Sequence, residues 1–413
     1  MSQRKGRGWI RVADREPVPL RALRASPEWH ARQLERARAE RARVECLCRP
    51  AAPPRLVVRT RTGRFHLARW PGTGHEHDPA CPFYSASPAD SGRAGCVGAI
   101  EEGEDGITVR LAAALTLASA DARVRRSERE RERGDGRRRV GLLALLHLLW
   151  ETSALNVLDT ARSSGRTWSQ CHRLLTHAAH ACTVNDAALN EVMHVPPPYH
   201  GPNRGACDEF AHFLSRLSDR TGGARRRGMI LGEIKEIAAT RYGAMIRIRH
   251  LRRAVFLTAE LNERLALSYR LALSAPPPAR RIGLYLVEAT AQGNLSLIDA
   301  AVMLAHPGYL PADSMLEVQM ADALLAAGRT VLKPLRYRGE AVFPDFVLLD
   351  AAAPIYVEVY GVVGREAYEQ RKREKQRYYR ESGIEVIAWE AGGPMPEVRG
   401  DRGPGSDLAS STG

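Results

Sequence analysis

The sequence predicts an α/β chain, α+β overall, in three parts: a small metal-stapled module, a middle mixed α/β region and a C-terminal core in the order αβββαβ. Three observations predict it. Cysteines and histidines bracket a hairpin pattern between residues 46 and 84. Helical and alternating apolar periodicities follow one another from 140 to 312. From Ser314 onward the chain spells helix, three strands, helix and strand. At 413 residues it is long enough for about two or three domains, and 44% apolar content can fill a core in each.

Residues 1–45 read as a basic helical segment, in which "PEWHARQLERARAERARVE" is an Ala-rich, solvated helix. Residues 46–123 form the expected zinc module. Cys46-x-Cys48 opens it, the runs "RLVVRT" and "RFHLARW" read as hairpin strands about "RTG", and "GHEHDPAC" brings back His75, His77 and Cys81. Three soft thiolates and an imidazole that meet after a hairpin make a tetrahedral zinc site, here Cys46, Cys48, His77 and Cys81. His77 is preferred because it lies one short gap from Cys81, whereas His75 sits too far along an extended segment for both to ligate. His66, on the hairpin, is the alternative ligand. Four protein ligands leave no position for water, so this zinc would be structural. Cys96, Cys171, Cys182 and Cys207 read as ordinary core or surface thiols.

A charge run at 124–139 reads as an exposed linker, and 140–312 as the middle domain. There, "VGLLALLHLLWETSALNVL" and "WSQCHRLLTHAAHACTVNDAALNEVM" have helical spacing, and 228–257 alternates like strands. A helix, "TAELNERLALSYRLAL", and further strands in "IGLYLVEATAQGNLSLIDAAVML" follow. Arg225, Arg226 and Arg227, with Arg247, Arg249, Arg252 and Arg253 in "RIRHLRR", are candidate phosphate contacts, since the guanidinium fork matches phosphate oxygens. Glu233-x-Lys235 is a rival acid-x-lysine pair, read as solvent-facing strand charges.

In the C-terminal core, 313–390, two acids stand in apolar runs: Asp345 in "AVFPDFVLLD" and Glu358 in "PIYVEVYGV". Carboxylates at one end of adjacent strands can share a divalent cation, whose charge offsets the cost of burying them. The helix after them aligns Tyr368, Lys372, Lys375 and Tyr379 on one face, so Lys372 or Lys375 can reach back to that cation and a phosphate. The stretch 391–413 is rich in Gly, Pro, Ser and Asp and is expected to be disordered.

Pro344-Asp345 followed by Glu358-x-Tyr360, in the order αβββαβ, resembles the PD-(D/E)xK nuclease superfamily. The resemblance implies a restriction-endonuclease-like core in which Asp345, Glu358 and the Val359 carbonyl hold Mg2+ or Mn2+ for phosphodiester cleavage. It also implies an acid from the first helix, for which Glu317 is in place. The family lysine, two positions after the second acid, is Tyr360 here. Some members carry it on the following helix, where this chain offers Lys375 and Lys372. A Cys/His module ahead of such a core also resembles a bacterial family associated with conjugative and integrative elements, and more loosely the competence-associated nucleases.

Lys plus Arg number 61 against 47 Asp plus Glu, a net charge of +14 that favours a nucleic-acid partner, DNA before RNA. No stretch approaches the ~20 apolar residues of a membrane span, and "MSQRKGRGWIRV" lacks an apolar signal core, so a cytoplasmic location is expected. The seven cysteines, odd in number and unevenly spread, fit metal ligation in a reducing compartment better than a disulfide framework. The expected function is metal-dependent DNA hydrolysis. The competing expectation is a non-catalytic DNA-binding or DNA-processing accessory protein built on a degenerate nuclease fold.

Overall fold

The computed structural model describes residues 8–13, 15–25, 27–61, 64–87, 91–117, 138–159, 165–199, 201, 204–219, 225–337, 343–351, 353–361 and 366–398. The linker expected at 124–139 falls almost wholly outside them, as does most of the expected tail beyond 391. Within the described part of that tail, Val398 is buried in the C-terminal core.

Strands β1 (Trp9–Val12), β2 (Val18–Pro19), β3 (Val44–Cys46), β4 (Arg55–Arg61) and β5 (Arg64–Arg69) make one antiparallel sheet, ordered β2-β1-β3-β4-β5. Helices α1 (Leu20–Ala25) and α2 (Pro27–Ala39) connect β2 to β3. Alternation turns Ile10 and Val12 inward onto Val44, Leu56, Leu34 and Ala37. Because β1 pairs with β3, the basic N-terminal segment and the cysteine-bearing hairpin share one sheet and one core.

A second sheet, ordered β11-β10-β7-β6, joins β6 (Ile100–Glu102), β7 (Ile107–Val109), β10 (Cys182–Val184) and β11 (Ala187–Ala188). Beside it lie α3 (Leu142–Thr152) and α4 (Trp168–His180). Helix α3 reads "LLALLHLLWET" and is apolar nearly all round, as a helix buried in a protein core must be.

The chain then forms β8 (Thr116–Leu117), β9 (Val157–Asp159), α5 (Leu189–Val192), β12 (Met193–His194), α6 (Arg204–Ser218) and the 16-residue β13 (Arg225–Thr240). After them come β14 (Gly243–Ile248), β15 (Val255–Thr258), α7 (Ala259–Ser268), α8 (Arg270–Leu273), β16 (Arg280–Ala289), β17 (Leu295–Ala305) and β18 (Pro311–Ala312). The first half of β13 pairs with β16 and its second half with β14, and a bulge between Ile234 and Glu236 marks the change of partner. Since β14 pairs with β15, β15 runs parallel to β17, and β17 pairs with β16, the ring β13-β14-β15-β17-β16 closes into a barrel. Ile230, Ile246, Val255, Tyr285 and Leu297 fill it, and Leu261 and Leu265 of α7 join that core. Outside, Met229, Leu231, Leu284, Leu286 and Met303 pack into the α3–α4 core, which explains the nearly continuous apolar runs of β13 and β16.

The C-terminal region holds α9 (Met315–Ala326), β19 (Thr330–Leu332), β20 (Phe346–Leu348), β21 (Ile355–Tyr360), α10 (Glu366–Glu381) and β22 (Val386–Glu390), in the order αβββαβ. Its sheet runs β22-β21-β20-β19-β9, so β9, from the middle of the chain, adds an edge strand beside β19. Ser314 caps α9 by accepting from the Glu317 N–H.

One acid lies buried where these regions meet. Glu151 accepts from Ser91 Oγ at 3.0 Å and from the Tyr337 hydroxyl at 2.9 Å. Burial, the largest influence, pushes its carboxyl from 4.5 up to about 7 despite those bonds and the nearby Arg93 and Arg69. With the folded value raised, the folded chain binds more protons than the unfolded chain between those two pH values, so stability falls as pH rises through that window. Glu151→Gln is expected to flatten that slope and to stabilise the chain at about pH 8 by on the order of 2 kcal/mol, measured by urea unfolding.

Candidate functional site

Cys46 ends β3, Cys48 lies in the turn after it, and a short 3-10 helix at Gly74–Glu76 delivers His77 and then Cys81. All four side chains are buried, and their ligand atoms lie within 4.8 Å of one another. Cys46 Sγ is 3.6 Å from Cys81 Sγ, and His77 Nδ1 is 3.5 Å from Cys48 Sγ and 3.6 Å from Cys81 Sγ. A tetrahedron about zinc, with metal–sulfur bonds of about 2.3 Å, has edges of about 3.8 Å, so the cluster has the size zinc requires. The Asp78 N–H donates to Cys48 Sγ at 3.4 Å. The Cys48 thiol is held far below its usual range, first by hydrogen bonding from Cys46 and then from Cys81. The same sharing pushes Cys46 up to about 12 and Cys81 higher still. His77 Nε2 is buried without a hydrogen-bond partner among the described residues, which leaves Nδ1 as the nitrogen facing the sulfurs. Of the alternatives, His75 is exposed, and His66 packs edge-on against His177 at 5.7 Å, outside the cluster. The buried cluster can hold a metal ion such as zinc.

The second group lies at the end of β20 and β21. Asp345 immediately precedes β20, and its Oδ2 accepts the Val359 N–H at 2.8 Å. The N–H and C=O of a strand residue point to the same edge, so the Val359 carbonyl also faces the β20 side. Glu358, 2% exposed on β21, accepts from Lys375 Nζ at 2.8 and 2.9 Å and from the Tyr379 hydroxyl at 2.5 Å. Burial first, then the Asp345 charge, push the Glu358 carboxyl up, against Lys375 and Tyr379. Lys375 also donates to the Phe343 carbonyl at 2.9 Å. Lys372 turns elsewhere: its Nζ bonds Glu390 at 2.6 Å and lies 4.6 Å from the Tyr360 ring centroid. Of the two candidate lysines, Lys375 is therefore the one at the carboxylates.

Glu317, on α9, is buried, and burial, the largest influence, pushes its carboxyl up to about 8; Lys333 opposes the rise, while Asp313 and Asp345 add to it. Lys333 donates to Glu317 at 2.6 Å and to Asp313 at 2.9 Å. Burial alone would push its ammonium down, but Asp313, Glu317 and Asp345 together hold it up. Sequence reasoning missed this lysine, although its signal was present: a lone cation in the apolar run "TVLKPL". Asp345 thus acts electrostatically on Glu358, Glu317 and Lys333 alike. Among the described residues the three acids do not gather as tightly as the cysteine cluster, and Lys375 and Lys333 hold two of them.

Glu233, expected at the surface, is buried: Arg280 and Arg249 pair with it at 3.0 and 2.8 Å, and the Tyr309 hydroxyl donates to it. Alternation runs unbroken to Glu233, which shares the face of Met229 and Leu231, and that face is covered by α3 and α4 instead of open to solvent. Of the candidate phosphate contacts, Arg226 pairs with Asp219, Arg227 with Glu288, Arg247 with Glu236 and Arg249 with Glu233. Arg252 lies over the Tyr199 ring, and Arg253 donates to the Gly293 carbonyl. Arg225 is exposed at the start of β13. No helix among the described residues is long and apolar enough to cross a membrane.

No curated protein and no solved structure matches the chain. A family model described as a protein of unknown function, DUF1173, matches residues 20–392, a span that contains the cysteine cluster, the barrel and the C-terminal acids. The chain belongs to the DUF1173 family.

Proposed function

We propose that this chain is a metal-dependent nuclease that hydrolyses DNA phosphodiester bonds, with a structural zinc in its N-terminal module. The observation that carries the reading is the buried pair Asp345 and Glu358 at one strand end, with Lys375 seated on Glu358. The donors there are oxygens, which suits a hard cation such as Mg2+ or Mn2+. Such a cation, when bound, supplies the positive charge that makes water an effective nucleophile at neutral pH. Asp345 and Glu358 would hold it, with the Val359 carbonyl and Glu317 as further oxygen donors. Lys375, exchanging its bond to Glu358 for one to the phosphate, stabilises the charge that develops there.

The test is incubation of single- and double-stranded DNA with the protein in Mg2+, Mn2+ or EDTA. Cleavage in either metal and none in EDTA is expected. Lys375→Ala is expected to lower the rate by roughly 10²-fold or more with little change in binding. Lys372→Ala is expected to leave it near wild type.

The ion pairs Lys375–Glu358 and Lys333–Glu317 favour a second reading, an accessory DNA-binding protein whose acids are neutralised internally. Binding without cleavage in both metals would select it. Under either reading the +14 charge gives a steep salt dependence, because bound arginines release counterions from DNA. Affinity measured between about 50 and 200 mM salt is expected to fall by at least about tenfold, and a flat response would leave the charge as a solubility feature.

A further inference from the structure

We propose that the open face of the middle barrel, over β14 and β15, is a binding groove for single-stranded DNA, separate from the carboxylate site. The choice of DNA over RNA rests on the nuclease reading above. The barrel is wired as a five-stranded Greek-key ring, with a helix between its third and fourth strands and with its third and fifth strands parallel. This is the architecture of the OB-fold, whose ligands lie across the second and third strands between the first and last hairpin loops. Fold alone assigns no function, so the surface chemistry has to.

The outside of this barrel is divided. The first half of β13, with β16 and β17, is buried against α3 and α4, whereas the second half of β13 and strands β14 and β15 stay open. Pairing across that open half aligns Ala238, Met245 and Phe256 in one outward row, with Arg247 and its ion-pair partner Glu236 in the next. Phe256 is 40% exposed while its neighbours Val255 and Leu257 are buried, so the strand presents an aromatic ring to solvent by register. At one end of the groove the β13–β14 turn offers Tyr242, 79% exposed, with the Arg241 guanidinium 5.2 Å from its ring centroid. Gly243 (φ +151°) makes that turn possible, since a Cβ there would meet the Leu257 carbonyl oxygen at 2.2 Å. At the other end Arg252 lies 6.0 Å from the ring centroid of Tyr199, itself 55% exposed.

Solvent-facing aromatic rings interleaved with arginines are what a single strand requires: bases stack on the rings while guanidinium groups follow the phosphates. A duplex keeps its bases stacked inside and cannot use the rings. A neutral glycan could use the rings but not the cations.

The test uses the zinc-loaded full chain without added Mg2+ or Mn2+, with fluorescence anisotropy of a labelled single-stranded DNA of about 20 nucleotides. Wild type is expected to bind it more tightly than duplex DNA or RNA of the same sequence. Tyr242→Ala and Phe256→Ala are each expected to weaken binding roughly 5- to 100-fold, and Tyr242→Phe and Phe256→Tyr to retain it. Tyr242 sits on an exposed turn, so its variant remains informative if the strand variant misfolds. Preference for duplex or RNA, no binding at all, or wild-type affinity in both alanine variants overturns the proposal. Because neither Mg2+ nor Mn2+ is added, a chain that never cleaves DNA still passes or fails this test on its own.

Discussion

Asp345→Asn is expected to abolish divalent-dependent DNA cleavage and to leave the chain at least as stable as wild type. An asparagine oxygen can keep the 2.8 Å bond from the Val359 N–H, so the strand end stays closed. What disappears is a negative charge that pushes up both Glu358 and Glu317, and the like-charge repulsion so relieved offsets the loss of its support to Lys333 and of its 3.8 Å pairing with the half-exposed Arg336. Glu358→Gln is expected to be equally inactive but less stable. It leaves the Lys375 ammonium, mostly buried, without its carboxylate, at a cost of roughly 1–3 kcal/mol. Cleavage rates with thermal unfolding of the two variants separate the effects. Full activity in Asp345→Asn would remove the carboxylates from the chemistry, and equal stability of the two variants would contradict the role given to Lys375.

The second large effect concerns the zinc module. Purified protein is expected to carry about one equivalent of zinc, and Cys46→Ser/Cys81→Ser to lose it together with the first sheet. Cys46 terminates β3, which pairs with both β1 and β4, and both cysteines lie in the core with Ile10, Val44 and Leu56. Structural zinc contributes apparent binding energies of about 10–16 kcal/mol in small modules, more than a core of this size supplies alone. Elemental analysis is expected to show zinc lost from the double variant and retained in His75→Ala and His66→Ala. Limited proteolysis is expected to cut the variant first between residues 9 and 84, with the barrel resistant. Zinc retained at full occupancy in the double variant would overturn the ligand assignment.

The cysteine cluster was legible because Cys-x-Cys and His-x3-Cys bracket a hairpin, so local spacing alone brings the ligands together. Asp345 and Glu358 were legible for a different reason, as charges inside apolar strands. Their lysine was not, since Lys372 and Lys375 share a helix face. What separates them is tertiary: Glu390 on β22 takes the first, and Glu358 takes the second. Lys333 was hidden because strand periodicity says nothing of acids on a neighbouring helix. Closure of the barrel was equally out of reach, because β13 changes partner at a bulge that an alternating pattern does not reveal. Edge strand β9, three residues following a helix, pairs with a strand far along the chain, and no local signal marks it.

The claim that the buried acids exist to hold a divalent cation can be measured without knowing the substrate. Zinc-loaded wild type titrated with Mn2+ and followed by electron paramagnetic resonance is expected to bind at least one Mn2+ per chain, and Asp345→Asn/Glu358→Gln to bind none. A wild type that takes up no Mn2+, or a double variant that binds it as wild type does, would contradict the account.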